Sequence, residues 1–425
     1  MKMSILKEKI KSDELNGIFE RIYKAEDIEL QKKRYIRVAE SYEELFGADR
    51  EVSIFSAPGR TEVGGNHTDH NHGCVLAAGV DLDAIAVAGK NDENIVRVKS
   101  EGYKMDVVDL SELGVMPDER NKSASLVRGV CAAFKNRGYK IGGFDAATAS
   151  DVISGSGLSS SAAFEVLLGT MLNHLYNDGK VSAVEIAQIA QFAENEYFGK
   201  PCGLMDQMAC SVGGFVAIDF NDPSKPVINK VDFEFSSCGH ALCIVDTGAD
   251  HSDLTDEYAA VRGEMECVAS KFGKKVLREV DRKEFEKSIN VIRDSAGDRA
   301  VLRAIHFFNE NDRVAKQAEA LGSGDFEAFK ALVIESGYSS YMYNQNVYTC
   351  KNPSSQAVSV ALALCSDILK GKGAWRVHGG GFAGTIQAFV PFELLDEFKS
   401  RICAVFGEKS CYVLNIRPLG GIRIA

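Results

Sequence analysis

Residues 154–163 read Ser154-Gly155-Ser156-Gly157-Leu158-Ser159-Ser160-Ser161-Ala162-Ala163 and run straight into the apolar-periodic segment Phe164-Glu165-Val166-Leu167-Leu168. The glycines free the backbone to turn tightly, and a helix opening at the serines aims unpaired N–H groups and a positive dipole end at whatever the turn holds. Such a turn is a cradle for an anion, above all phosphate. It is not a P-loop, because no Gly-Lys-Ser/Thr follows, and it is not the dinucleotide fingerprint, whose third glycine falls on Ser160. Alone, the stretch is equally compatible with a cluster of N-capping serines, so its meaning depends on the rest of the chain.

Composition sets the frame. The 425 residues are 45% apolar and 26% charged, which suits a globular protein of two ordinary domains. A net charge of −11 argues against nucleic acid or an anionic membrane surface as the partner, while leaving room for a local basic pocket. No run of eighteen apolar residues occurs, and the opening residues are too charged for a signal core, so a cytoplasmic protein is expected. The 11 cysteines are scattered without any Cys-x-x-Cys pair, which favours reduced thiols over disulfides or a zinc knuckle. His67-Thr68-Asp69-His70-Asn71-His72 looks metal-like by composition, but its groups crowd one short turn with no distant motif to complete a tetrahedral site.

Along the chain, residues 1–45 read as a helical extension. Val52-Ser53-Ile54-Phe55 reads as a strand ended by Ala57-Pro58-Gly59. Arg60, Glu62, Asn66, His67 and Asp69 then crowd around Gly64-Gly65 with more polar chemistry than a connection needs, although a solvated loop would look similar. Cys74–Ala78, Ala84–Ala88 and Ile95–Val98, the last across the Asn91–Asn94 turn, read as adjacent strands with a hairpin. Ser123–Gly138 reads as a helix, and Ser182 with Glu185 as a capping box opening another that carries Glu194. Asp206 stands alone in the apolar run Gly203-Leu204-Met205-Asp206-Gln207-Met208, where a helix cap or buried acceptor is the commoner role. The polar stretch Asn221–Pro226 marks a boundary, giving domains over 46–225 and 226–425. The second is mainly helical to about residue 370, then carries a glycine loop, His378-Gly379-Gly380-Gly381-Phe382-Ala383-Gly384, and two strands.

The whole set resembles the galactokinases of the GHMP superfamily of small-molecule kinases. Phe55-Ser56-Ala57-Pro58-Gly59-Arg60 with His67-Thr68-Asp69 is similar to their sugar signature, Gly155–Ala163 to their phosphate-binding motif, and Gly379-Gly380-Gly381-Phe382 to their third motif. The resemblance implies a two-lobed α/β (α+β) fold, with an N-terminal ribosomal-protein-like domain, a C-terminal α+β domain and the active site in the cleft between them. It implies ATP-dependent phosphorylation of galactose at the C1 hydroxyl, with Mg²⁺. Asp206 would be the base or orienting charge and Arg60 the cation beside the transferred phosphoryl group. Ser160 and Glu194 would hold Mg²⁺. Gly155, Ser156, Gly157, Leu158, Ser159, Ser160 and Ser161 would cradle the triphosphate, while Arg60, Asn66, His67, Asp69, Asp206, Tyr258 and Gly380 would surround the sugar. The partners are then a sugar and ATP, and a monomer or weak homodimer is expected.

One departure bears on the substrate. Galactokinases usually read Gly-Glu-His-Thr-Asp-Tyr-Asn where this chain reads Gly65-Asn66-His67-Thr68-Asp69-His70-Asn71. In the family that Glu accepts a hydrogen bond from the C6 hydroxyl; a neutral Asn66 would no longer repel a carboxylate there. A kinase of galacturonate or N-acetylgalactosamine is therefore an alternative, and a catalytically silent sugar and ATP sensor is another, though a sensor has no reason to keep Asp206.

Overall fold

The structure is a computed structural model that describes residues 1–153, 157–249 and 254–425. Its first sheet is organised by two long strands, β1 (Ser53–Gly64) and β2 (Cys74–Lys90), which pair antiparallel along their lengths. Beside β2 lies β5 (Phe144–Ser150), then β3 (Ile95–Ser100) and β4 (Met105–Asp109). The other half of β2 pairs with β6 (Phe215–Asp219), which in turn pairs with β7 (Val227–Val231). The expected hairpin between β2 and β3 does not form, because β5 occupies the place between them. The Asn91 amide explains the detour: it donates to the Ile95 carbonyl at 3.0 Å and to Asp145 at 2.9 Å, fixing the turn to β5.

Side chains alternate between the two faces of this sheet with the period of two that a strand imposes. Phe55, Ala57, Ala86 and Ala88 enter a core shared with helices Ser123–Asn136, Ser160–Tyr176 and Ala183–Phe192. Ile54, Ile85 and Val87 point the other way and are covered by Phe19, Tyr35 and Tyr42 of the N-terminal helices. The leading residues are therefore the second cover of the sheet, since β-strands apolar on both faces need one. Asp83, fully buried, is neutralised by Arg34 at 2.6 Å and Arg417 at 3.0 Å, which fits the rule that a buried charge is kept only when paired.

The second sheet runs β11 (Cys411–Leu414), β8 (His240–Asp246), β10 (Thr385–Pro391), β9 (Ala374–His378). Its Cys243, Val245, Ile386 and Ala388 pack on helices Ala357–Leu369 and Leu395–Phe406. Leu242, Ile244 and Phe389 face inward and join the first sheet's core through Phe235, Phe326 and Phe329. The sheets do not divide at residue 225: β7 extends the first sheet beyond it, and β12 (Ile422–Arg423) pairs with β1. Helices Thr255–Ser270, Asp298–Gly322 and Phe326–Ser339 fill the second lobe. Among the described residues, no helix is long and apolar enough to cross a membrane.

Candidate active site

β1 carries Arg60 to the rim of the first sheet, where the register with β2 shifts between Pro58 and Arg60. The Arg60 backbone N–H donates to the Leu158 carbonyl at 3.0 Å, and a side chain on Gly59 would press on that same oxygen at 2.9 Å. Strand and phosphate turn are thus in backbone contact, which only glycine at 59 allows. The Arg60 side chain is 7% exposed; its Nε and Nη2 both lie 2.7 Å from Asp206 Oδ1, and it also donates to the Gly157 carbonyl. Burial works against this guanidinium's charge, and the Asp206 carboxylate more than offsets it, leaving the pKa raised.

Asp206 occupies the first turn of helix Met205–Val212, where the dipole favours an anion. Its second oxygen accepts the Ser159 hydroxyl. Ser159 holds the N-cap position of the next helix without capping it: its backbone is left-handed, φ +57°, its side chain makes no cap hydrogen bond, and its hydroxyl turns onto the acid. Helix Ser160–Tyr176 begins immediately after it, as the glycine–serine spacing predicts. Arg60, Gly157, Ser159, Ser160, Ser161, Asp206 and Gly380 line one cleft of about 300 Å³. Gly155 and Ser156 lie outside the described residues.

Glu194 stands behind the serines, in a single widened helical turn, Ala193–Phe198, that follows the capping-box helix. Its carboxylate accepts the Ser161 hydroxyl at 3.1 Å, the Gln207 amide at 2.6 Å and the Cys202 thiol at 3.2 Å. The same Gln207 nitrogen reaches Glu165 at 3.2 Å, whose pKa burial and the Glu194 charge push well above the carboxylate range. Gln207 thus ties Glu194 to the helix that bears Asp206. Nothing in the sequence marks Gln207 for this role, since a buried amide in an apolar run carries no periodic signal.

The sugar-signature loop is built differently. Asn66 is fully buried, and its amide uses every bond it can make: Nδ2 donates to Glu62 at 2.8 Å and the Gly379 carbonyl at 2.7 Å, while Oδ1 accepts from Asn346 at 2.8 Å and Ser340 at 3.3 Å. The expected contact of Asn66 with the C6 end of a sugar finds no spare bonding capacity. Glu62 is held in turn by Arg376 at 2.7 Å.

The histidines form a directed chain rather than a metal cluster. His67 Nε2–H donates to the Gly380 carbonyl at 2.8 Å, so its Nδ1 accepts from His70 Nε2 at 3.4 Å, and His70 Nδ1 accepts from the Asn71 amide at 2.9 Å. Burial lowers the pKa of both rings. No group of three His, Cys, Asp or Glu able to hold a metal ion occurs among the described residues. Asp69 lies so close to Gly203 that a Cβ there would meet its Oδ2 at 2.0 Å. Burial first, then the charges of Glu62 and Asp206, raise its pKa from 3.8 to about 6. The Tyr258 hydroxyl donates to the Gly381 carbonyl at 2.8 Å, and a side chain at Gly380 would strike its ring at 2.7 Å. His378, placed by sequence only in the glycine loop, accepts the Glu62 N–H at 3.2 Å and donates to Thr385 at 3.0 Å, pinning β1 to β10.

The chain's relatives can be set beside this geometry. The galactokinase galactose-binding signature matches residues 40–90, and the N-terminal domain of the GHMP kinases matches residues 125–214. The galactokinase of Streptomyces coelicolor is 33% identical over 392 residues, covering 91% of this chain and 97% of its own. The crystal structure of Lactococcus lactis galactokinase complexed with galactose superposes with a TM-score of 0.76 at 26% identity, covering 90% of this chain and 98% of that one. Mevalonate kinase of Methanococcus jannaschii, at 15% identity and a TM-score of 0.57 over 86% of this chain and 98% of its own, shares the fold. Matched over nine-tenths of its length, with both motif regions and the cleft in place, this chain belongs to the galactokinases, within the GHMP kinases.

Proposed function

We propose that this protein transfers the γ-phosphoryl group of ATP to the C1 hydroxyl of galactose, forming galactose 1-phosphate and ADP. The observation that carries the reading is the convergence of Arg60, Asp206 and Ser159 where the sugar-signature strand touches the phosphate turn. Phosphoryl transfer asks for positioning and charge stabilisation more than for covalent chemistry. Asp206, oriented by Arg60 and Ser159 and 29% exposed to the cleft, receives the hydrogen bond of the C1 hydroxyl. As the C1 oxygen bonds to γ-phosphorus and the bridging oxygen leaves with ADP, the hydroxyl proton passes toward Asp206. The Arg60 charge lies beside the oxygens that gain charge. Asp69 and His67 border the sugar.

The donors near the serines suit Mg²⁺: the Glu194 carboxylate faces the Ser161 hydroxyl, and both are the hard oxygens this ion takes. Ser160 and Glu194 would hold it, and its chemistry there is to neutralise β- and γ-phosphate oxygens. The two lobes around the cleft would be residues 46–225, completed by β7 and β12 of the first sheet, and the rest of residues 226–425. The galacturonate and N-acetylgalactosamine readings have no support from Asn66, whose amide faces inward.

ADP release measured with ATP, Mg²⁺ and a panel of galactose, galacturonate and N-acetylgalactosamine tests the reading. Galactose is expected to be the preferred acceptor. Turnover of a different sugar, with galactose inert, overturns it.

A further inference from the structure

Lys200 has no part in the chemistry above, yet its main chain is fixed on three sides. Gly199 before it holds φ +87°, Pro201 follows, and its backbone N–H closes onto the Glu194 carbonyl at 3.2 Å. This clamp ends the widened turn Ala193–Phe198 and delivers the side chain into the cleft that Ser159, Ser161, Arg60 and Asp206 also line. The Lys200 side chain is 64% exposed, and its Nζ stands 3.6 Å from Glu194 Oε1. That distance is beyond a hydrogen bond, and an exposed pair of this kind contributes little, so the contact does not account for the placement. Arg60 and Lys200 are the Lys and Arg side chains lining the cleft among the described residues. Arg60 is buried and committed to Asp206 and Gly157. Lys200 is the one with donors still to offer.

We infer that Lys200 is a nucleotide-binding residue that donates to a non-bridging oxygen of the triphosphate. The chemistry favours it: an ammonium on a four-carbon stem is a mobile point charge suited to a polyanion arriving at the serine turn. A divalent cation taken up by Glu194 would leave the ammonium no competing carboxylate. The identity of the ligand rests on the kinase reading; the placement of Lys200 does not.

The test compares wild type with Lys200→Gln and Lys200→Arg by calorimetry. The probes are ATP in the presence of EDTA, a non-hydrolysable imido analogue of ATP with Mg²⁺, and galactose alone, with the thermal midpoint recorded for each protein. Lys200→Gln should weaken both nucleotides about ten- to hundredfold and leave galactose affinity and the midpoint unchanged. Lys200→Arg should recover most of the loss. Equal nucleotide affinity in wild type and Lys200→Gln overturns the inference while leaving the kinase reading intact. A parallel loss of galactose binding or of thermal midpoint assigns Lys200 a structural role and also overturns it. A wild type that binds neither nucleotide overturns both readings together.

Discussion

Around Asp206 and Glu194 the side-chain partners among the described residues come from the first lobe: Arg60, Ser159, Ser161, Lys200, Cys202 and Gln207. Around Asn66 the partners are Glu62 and then His306, Ser340, Asn346 and Gly379, separated from it by 240 to 313 positions in the sequence. The phosphate corner is local and partly open to solvent; the sugar loop is a clasp closed between lobes. Chemistry and assembly are therefore separable. Substitution in the corner should change turnover with little effect on folding, whereas substitution in the clasp should change stability first.

The largest effect is expected for Asp206→Ala. ADP production should fall by about 10³-fold, within the range that removing a positioned acid or base costs, with nucleotide affinity nearly intact. Rapid-quench turnover and calorimetry check it; unchanged turnover would break the catalytic half of the comparison. Arg60→Lys should follow at about 10²-fold in kcat, because an ammonium cannot offer both Nε and Nη2 to one carboxylate.

Asn66→Ala should cost about 3 kcal/mol of unfolding free energy, since it strips one buried hydrogen bond each from Glu62 and the Asn346 amide and removes the side-chain donor of the Gly379 carbonyl. Urea unfolding measures this, and Asn66→Asp should be unstable in a way that low pH relieves, because it sets two carboxylates against each other. A variant that folds normally but exchanges galactose for another sugar would return Asn66 to the role its sequence position suggested.

A smaller effect separates the two regions by pH. On the proposed reading Asp69 would accept from sugar hydroxyls as a carboxylate, so kcat/KM for galactose should rise as pH passes upward through about 6, and Asp69→Asn should remove that limb. The sign for stability is opposite. Because the folded-state value is raised above 3.8, the protonated acid favours the fold at low pH, and that contribution is lost as pH rises through about 6. Smallest of all, Tyr258→Phe removes one hydrogen bond to Gly381 and should change KM for galactose a few-fold.

The division between local and long-range contacts also decides what could be read from the chain. The helix opening at the serines and the capping box at Ser182 and Glu185 are local patterns, and the structure carries both of them. The place of β3 was not legible, because a turn and two apolar runs do not reveal that Phe144–Ser150 will insert between them. β9 was hidden inside a glycine-rich stretch, and only its pairing with β10 makes it a strand. Asn66 shows the same limit: its neighbours in sequence suggest a sugar contact, whereas, Glu62 apart, the groups bonded to its side chain come from the other end of the chain.

The seam where Glu62 meets Arg376, and Thr61 meets His378 and Gln387, joins the two sheets through the very strand that presents Arg60. A hinge placed there would have to break buried hydrogen bonds and a buried ion pair on every cycle. Product departure therefore falls to the rims of the cleft, the serine turn on one side and the triple-glycine loop on the other. Turnover should then respond to solvent viscosity and to stiffening of those rims, while the angle between the sheets stays constant from one catalytic cycle to the next.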